Sequence, residues 1–263
     1  MIKKTTENIA WESAAIKTGG FCKRCGREHW LGPANSLQHC QELMHQFDCL
    51  GTIDLFSTES GTGSALETAP LFGPARGKMF GVMECLKPDG TIIFLRAFSG
   101  QYNGVWLVDG WAPPLFDIDD FLAMTTVKEK QIKQLGAKID QGVPHSSDWL
   151  AQKKERRQLS RRLMQDIHGL YRLSNFRGET TTLAEAFTGK NGIPTGTGDC
   201  CAPKLLNFAA KNDLHPLGIS EFFWGRENKS GQHQHGSFTS SCVEKCQPIL
   251  GFMLCGREEP EKL

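Results

Sequence analysis

Two segments of the 263-residue chain place cysteines where a metal could be held: Gly198-Asp199-Cys200-Cys201-Ala202-Pro203-Lys204 and Ser241-Cys242-Val243-Glu244-Lys245-Cys246. Zinc takes a tetrahedral set of thiolates and imidazoles, and a helix N-terminus suits such ligands because its free amides and dipole stabilise thiolate charge. The residue pattern predicts one helix opening at Cys200 and another at Cys242 and Cys246. Three thiolates leave a fourth position for water, the arrangement of a catalytic zinc, where the pKa of bound water falls to about 7. A fourth ligand from Cys201, Cys255, His233 or His235 would close the shell and make the site structural. A redox or sensor thiol and plain buried cysteines are the alternatives, because Cys-x-x-x-Cys is less specific than Cys-x-x-Cys.

A second cluster is Phe21-Cys22-Lys23-Arg24-Cys25-Gly26, followed by His29, His39, Cys40, His45 and Cys49. Cys-x-x-Cys-Gly is the wording of a zinc knuckle, in which the glycine permits the tight turn that brings amides to the thiolates. Cys22 and Cys25 are candidate ligands of a second Zn2+, closed by two of the later residues, with Lys23 and Arg24 free to touch phosphate. A thioredoxin-like redox pair is the weaker reading, because no βαβ pattern surrounds it.

The elements that must position these residues can be read from periodicity. Leu37, Cys40, Leu43, Met44 and Phe47 recur at helical spacing after the knuckle. Two β-rich runs, Met79 to Leu86 and Thr91 to Phe98, flank a Lys87-Pro88-Asp89-Gly90 turn and predict a hairpin, with a further strand at Gly104 to Val108. Residues 117–173 are charged and helical, broken near Gly142-Val143-Pro144, with Ser146 or Ser147 to cap the second helix. Leu159, Leu163, Ile167 and Leu170 form its apolar stripe, and such hairpins often pack against a sheet. Its Lys153, Lys154, Arg156, Arg157, Arg161 and Arg162 are either a solvated face or an RNA-phosphate footprint.

The last third reads as a helix to Lys211, a strand over Pro216 to Trp224, and an apolar helical turn over Pro248 to Leu254. The expected fold is α/β: a mixed sheet flanked by helices, with the hairpin 117–173 inserted and a knuckle-bearing N-terminal segment 1–56 set before the main domain 70–263. The Gly/Ser/Thr-rich stretch Ser57 to Ala65 reads as a mobile loop. Ser99-Gly100-Gln101 and Gly110-Trp111-Ala112-Pro113-Pro114 are candidates to line a pocket over the zinc, or simply a strand end and a turn. Gly196-Thr197-Gly198 reads as shaping the entry to the site.

The charge balance, thirty basic against twenty-nine acidic residues, neither demands nor excludes a polyanionic partner, so any nucleic-acid contact must be local. The first residues carry two lysines but no apolar run, and no stretch approaches a membrane span of roughly 18 to 20 apolar residues. A cytoplasmic protein is expected, in which ten cysteines are not a disulfide framework.

A cysteine-initiated helix with Gly-x-Cys-x-x-Pro-Lys wording, a strand, and a helix opening on two more cysteines is similar to the zinc-dependent nucleoside and nucleic-acid deaminase superfamily. In that superfamily the first motif is His or Cys, any residue, then the Glu that shuttles protons. The resemblance implies Zn2+ on Cys200, Cys242 and Cys246, but puts Ala202 at the glutamate position. Asp199 or Glu221 would then have to carry the proton from another direction.

A resemblance closer in wording covers residues 77–256: Gly198 to Leu206, Glu221-Phe222-Phe223-Trp224-Gly225, Cys242-x-x-x-Cys246-x-Pro248-Ile249-Leu250, Gly77 to Val82 and Ala97-Phe98-Ser99-Gly100. These look like the long N-terminal extension of some bacterial RluA-type pseudouridine synthases. The synthase's catalytic Arg-Leu-Asp segment does not occur in this chain, and Asp166 lies on the basic helix instead. The resemblance implies an RNA-modification context, with RNA, a nucleotide or a pseudouridine synthase as partner, rather than pseudouridine formation itself. The function expected is a deaminase-like zinc hydrolase or, alternatively, a non-catalytic zinc module that binds RNA or protein.

Overall fold

The computed structural model describes residues 16–56 and 65–257. The loop expected at Ser57 to Ala65 and the N-terminal lysines lie almost wholly outside these residues. The centre is a four-stranded sheet in the order β4 (Ile92–Phe98), β3 (Lys78–Leu86), β7 (His215–Trp224), β8 (Phe238–Thr239). The expected β3–β4 hairpin forms, with Phe80 opposite Phe98 and Leu86 opposite Ile92.

Every neighbour pair in this sheet is antiparallel, which corrects the expected mixed sheet. The short link between β7 and β8 contains no crossover helix, and parallel neighbours need such a crossover. The stretch Gly104 to Val108 is not a strand either. Asn103 and Gly104 take positive φ, so the chain folds back and Tyr102 pairs with Val105.

Alternation along β3 and β7 sends side chains to two apolar layers. One layer joins Phe80, Val82, Phe222 and Trp224 to Cys40, Leu43 and Phe47 of α1 (Ser36–Leu50), the helix expected from its periodicity. Glu84 anchors the start of α1, accepting hydrogen bonds from the Asn35 backbone at 3.0 Å and the Asn35 amide at 2.9 Å.

The other layer joins Met83, Cys85 and Ile219 to α5 (Cys201–Lys211) and α6 (Gln247–Leu254). Helix α6 is buried almost throughout, from Pro248 to Leu254, so its apolar side chains contribute about 1.5 to 3 kcal/mol each. It lies against the hairpin of β1 (Thr18–Cys22) and β2 (Arg27–Leu31). A Cβ on Gly251 would sit 2.2 Å from the Phe21 carbonyl carbon, so only glycine allows this approach. Cys22 and Leu31 belong to the same core as α5 and α6, so the described part of 1–56 shares its interior with the main domain.

The inserted hairpin consists of α2 (Ile118–Gln141) and α3 (Ser147–Leu170), capped by the side chains of Asp117 and Ser146. Its helices pack on each other and, through α3, on the short helix α4 (Leu183–Ala186). It does not pack on the sheet as expected: only Thr125, Ile139 and Leu163 are buried along both helices, so the apolar stripe is too thin to cover a sheet face. A two-stranded pair, β5 (Arg172–Ser174) and β6 (Thr180–Thr182), leads from the hairpin to α4.

Candidate metal centres and the cavity between them

The tightest set of ligand atoms is at the knuckle. The donor atoms of Cys22, Cys25, His29 and Cys255 all lie within 4.8 Å of one another and could hold a metal ion such as zinc. Cys22 ends β1, and Gly26 at φ 71 turns the chain so that its N–H reaches the Cys22 carbonyl at 3.0 Å. His29 comes from β2 and Cys255 from the C-cap of α6. Cys25 Sγ is 3.0 Å from His29 Nε2. Burial pushes the Cys25 thiol up, but hydrogen bonds from His29, the Arg27 backbone, Cys22 and Cys255 outweigh it and bring the thiol down to about 7. Three sulfurs and one imidazole match a closed, structural zinc shell.

Of the ligands expected to close the knuckle, only His29 does so. His39 pairs with Glu42 at 2.8 Å, Cys40 is buried under β7, and Cys49 meets His45 on the outer face of α1. The fourth residue of the set, Cys255, is a sequence candidate for the other site alone, because nothing local links it to Cys22. Its position one residue beyond an apolar helix is the available signal. Lys23 and Arg24 do not point to an anion: Lys23 donates to the Phe187 carbonyl and Arg24 pairs with Glu179 at 2.8 Å.

The second set surrounds a cavity of about 430 Å³ lined by Met79, Cys200, Glu221, His233, Cys242 and Cys246, among others. Cys200 is the N-cap of α5 and Cys246 the N-cap of α6, as the sequence predicts. Cys242 lies one turn earlier, where its carbonyl accepts the Cys246 N–H at 3.2 Å. The Cys242 and Cys246 sulfurs are 3.6 Å apart, and the Cys200 thiol interacts with both. Hydrogen bonds from Cys200 and Cys246 hold Cys242 well down, towards thiolate, and the same contacts push its two donors up. Zinc–sulfur bonds of about 2.3 Å separate tetrahedral sulfurs by about 3.8 Å, so the Cys242–Cys246 spacing fits such an ion. The three do not reach the mutual closeness of the knuckle set, which makes this the more open arrangement.

Glu221 lies beneath the cavity. Its place in β7 points it to the α5 face, opposite Gly81 of β3. Its Oε1 accepts the Ala202 backbone N–H at 3.0 Å. Burial raises the carboxyl to about 7, against the lowering effect of that hydrogen bond. A Cβ on Gly81 would come within 2.8 Å of Cys201 Cβ and 3.3 Å of Glu221 Cγ, so this glycine makes the room in which helix and carboxylate meet.

Apart from His233, the other expected residues fall outside the cavity. Asp199 is held by the Tyr171 hydroxyl at 2.5 Å and does not line it. Cys201 turns away and donates to the Met79 carbonyl at 3.3 Å. His235 is 3.2 Å from the Gly225 N–H, and Trp111 is buried on the α1 side of the sheet. Gly100 is a brace: its N–H donates to the Asp199 carbonyl at 2.8 Å and its carbonyl accepts from buried Lys204 at 2.7 Å. His233 lines the cavity, stacked on Phe223, and its Nδ1 is buried without a hydrogen-bond partner.

No described helix is long and apolar enough to cross a membrane. Comparison with protein-family models, with curated proteins and with solved structures finds no match to this chain.

Proposed function

We propose that the chain is a zinc-dependent, deaminase-like hydrolase of the cytoplasm that acts on the base of a nucleoside, nucleotide or RNA. Cys200, Cys242 and Cys246 are its metal ligands and Glu221 is its proton carrier. One observation carries the reading: where the deaminase motif would place its glutamate, the chain has Ala202, and the Glu221 carboxylate is bonded to that residue's own amide. The carboxylate is thus supplied from the neighbouring strand into the same cavity as the three thiols. The succession of hairpin, α5, β7 and α6 also supports a deaminase-like core.

Zinc on the three thiolates would supply the Lewis acid that lowers the pKa of a bound water. Glu221 would take one proton of a water whose oxygen bonds to the amine-bearing ring carbon, and pass it to the exocyclic amine. The C–N bond would break, ammonia would leave, and the remaining hydroxyl proton would shift to the ring nitrogen to give the carbonyl. A cavity of about 430 Å³ is within the range of small-molecule sites and admits one base with its sugar. Asp199 is the weaker candidate, because Tyr171 already engages it. The wording shared with the RluA-type extension over residues 77–256 supports an RNA-modification setting with a pseudouridine synthase as partner.

The closed set at Cys22, Cys25, His29 and Cys255 favours a second reading, a zinc module that binds RNA or protein without catalysis. Metal analysis and ammonia release on a panel of nucleosides, nucleotides and single-stranded RNA separate the two. The hydrolase reading expects two zinc equivalents, one lost in Cys242→Ser, and ammonia release abolished by Glu221→Gln with both zincs retained. Zinc at both sites with no release on any substrate supports the module, and a folded, metal-free protein overturns both.

A further inference from the structure

The hairpin of α2 and α3 meets the core only at its base, through Phe121, Ile167 and Leu170, and the cations midway along α3 are not compensated locally. Between Lys153 and Arg162, α3 carries Lys153, Lys154, Arg156, Arg157, Arg161 and Arg162 against Glu155 alone. None of the six takes part in an ion pair among the described residues, whereas Asp166 is already engaged by Lys128 at 2.6 Å. Four of them, Lys153, Lys154, Arg156 and Arg157, converge with Ser160 and Ile139 on one hollow of about 430 Å³ that has no acidic lining residue. Their own repulsion disfavours this convergence unless an anion relieves it.

The placement relates this hollow to the cavity. Helix α3 ends at Leu170, and the next residue, Tyr171, is bonded to Asp199, the neighbour of Cys200. The cationic stretch from Lys153 to Arg157 is thus about 20 to 26 Å along the helix from its end beside Asp199. At the root of the arm a second hollow, about 950 Å³, is lined by Trp106, Phe121, Leu122, Lys130, Lys133 and Glu129, combining aromatic rings with cations, of which Lys133 pairs with Glu129 at 3.9 Å. Trp106 also lies 6.0 Å from the Lys204 ammonium, one turn along α5 from Cys200.

We propose that the hairpin is a nucleic-acid arm that binds the phosphodiester backbone of a single strand and presents one of its bases to the cavity. Successive phosphates match cations distributed along a helix, and aromatic rings between arm and cavity suit unstacked bases. A duplex does not fit this scheme, because its bases are stacked away from a recessed site. The inference rests on the proposed base-modifying function for the role of the strand, but the binding surface is independent of it.

The test is fluorescence anisotropy of the full chain with end-labelled single strands of RNA and of DNA and with the RNA duplex, across a salt series. Lys153→Gln/Lys154→Gln and Arg156→Gln/Arg157→Gln are measured separately, since all four side chains are exposed and their loss leaves the fold intact. Single strands should bind better than duplex, each double variant should weaken binding at least about tenfold near 0.1 M salt, and each should flatten the log–log salt slope by about 1 to 1.5. Unchanged affinity and slope in both variants, preference for duplex, or stronger binding to anionic lipid vesicles overturns the proposal. Glu221→Gln removes none of the arm's cations and should keep the parent's salt slope while ammonia release is lost, so failure of the arm and failure of the catalytic reading give different results.

Discussion

Glu221 and Ala202 lie nineteen residues apart in the chain, yet the carboxylate of one accepts the backbone N–H of the other at 3.0 Å. The amide is among the first of α5, where N–H groups lack intrahelical partners, so Glu221 satisfies a helix end from the neighbouring strand.

That relationship predicts an incompatibility. Ala202→Glu places a second carboxyl beside Glu221 in a fully buried position, where two such groups cannot both ionise. The single variant should lose about 3 kcal/mol or more in urea unfolding. The double variant Ala202→Glu/Glu221→Ala should recover part of that loss, and equal stabilities would show that the two side chains do not share the space.

Gly81 is the second point of dependence. Gly81→Ala forces a methyl group to within 2.8 Å of Cys201 Cβ, a contact that only movement of α5 can relieve. Overpacking of this kind costs typically about 1 to 3 kcal/mol, and here it also displaces Cys200. Thermal unfolding together with zinc content should show lower stability and weaker metal retention at the cavity, with the knuckle still loaded.

Cys255→Ser removes a ligand from the knuckle and should cost one zinc equivalent and several degrees of Tm. Cys49→Ser should cost neither, because Cys49 is exposed and lies near His45 alone among the candidate ligands. Mass spectrometry under native conditions reads the stoichiometry directly.

Lys204 gives a dependence on pH. Burial brings its ammonium down to about 8, although the Phe98 and Gly100 carbonyls accept its hydrogen bonds. The unfolded chain, with an ordinary lysine near 10.4, holds more protons over the interval between these values, so this residue's contribution to stability rises with pH there. Relative to Lys204→Met, the parent chain should therefore gain about 3 kcal/mol between pH 7 and pH 11. A constant difference across that range would show that the ammonium is not held below its ordinary value.

The sequence made the local features legible. The turn at Lys87 to Gly90 and the break at Gly142 to Pro144 are punctuated by residues with few backbone options, and both appear where expected. Cys200 and Cys246 were readable as helix-starting residues because the apolar period begins beside them. What escaped depends on tertiary approach. His29 and Cys255 meet only because β2 and the end of α6 converge, and the bond between Glu221 and Ala202 depends on the register of β7 against β3. That the α2–α3 hairpin meets the core only at its base was equally hidden, since an amphipathic stripe shows that a face is apolar without showing what covers it.

The knuckle joins distant parts of the polypeptide. Cys22, Cys25 and His29 emerge early in synthesis, whereas Cys255 emerges only after the sheet, the arm and α6. A nascent chain therefore carries an incomplete three-ligand shell until almost all of the described structure has left the ribosome. Closure of that shell then reports that α6 has docked, and the early ligands remain exposed to exchange or oxidation for as long as it has not.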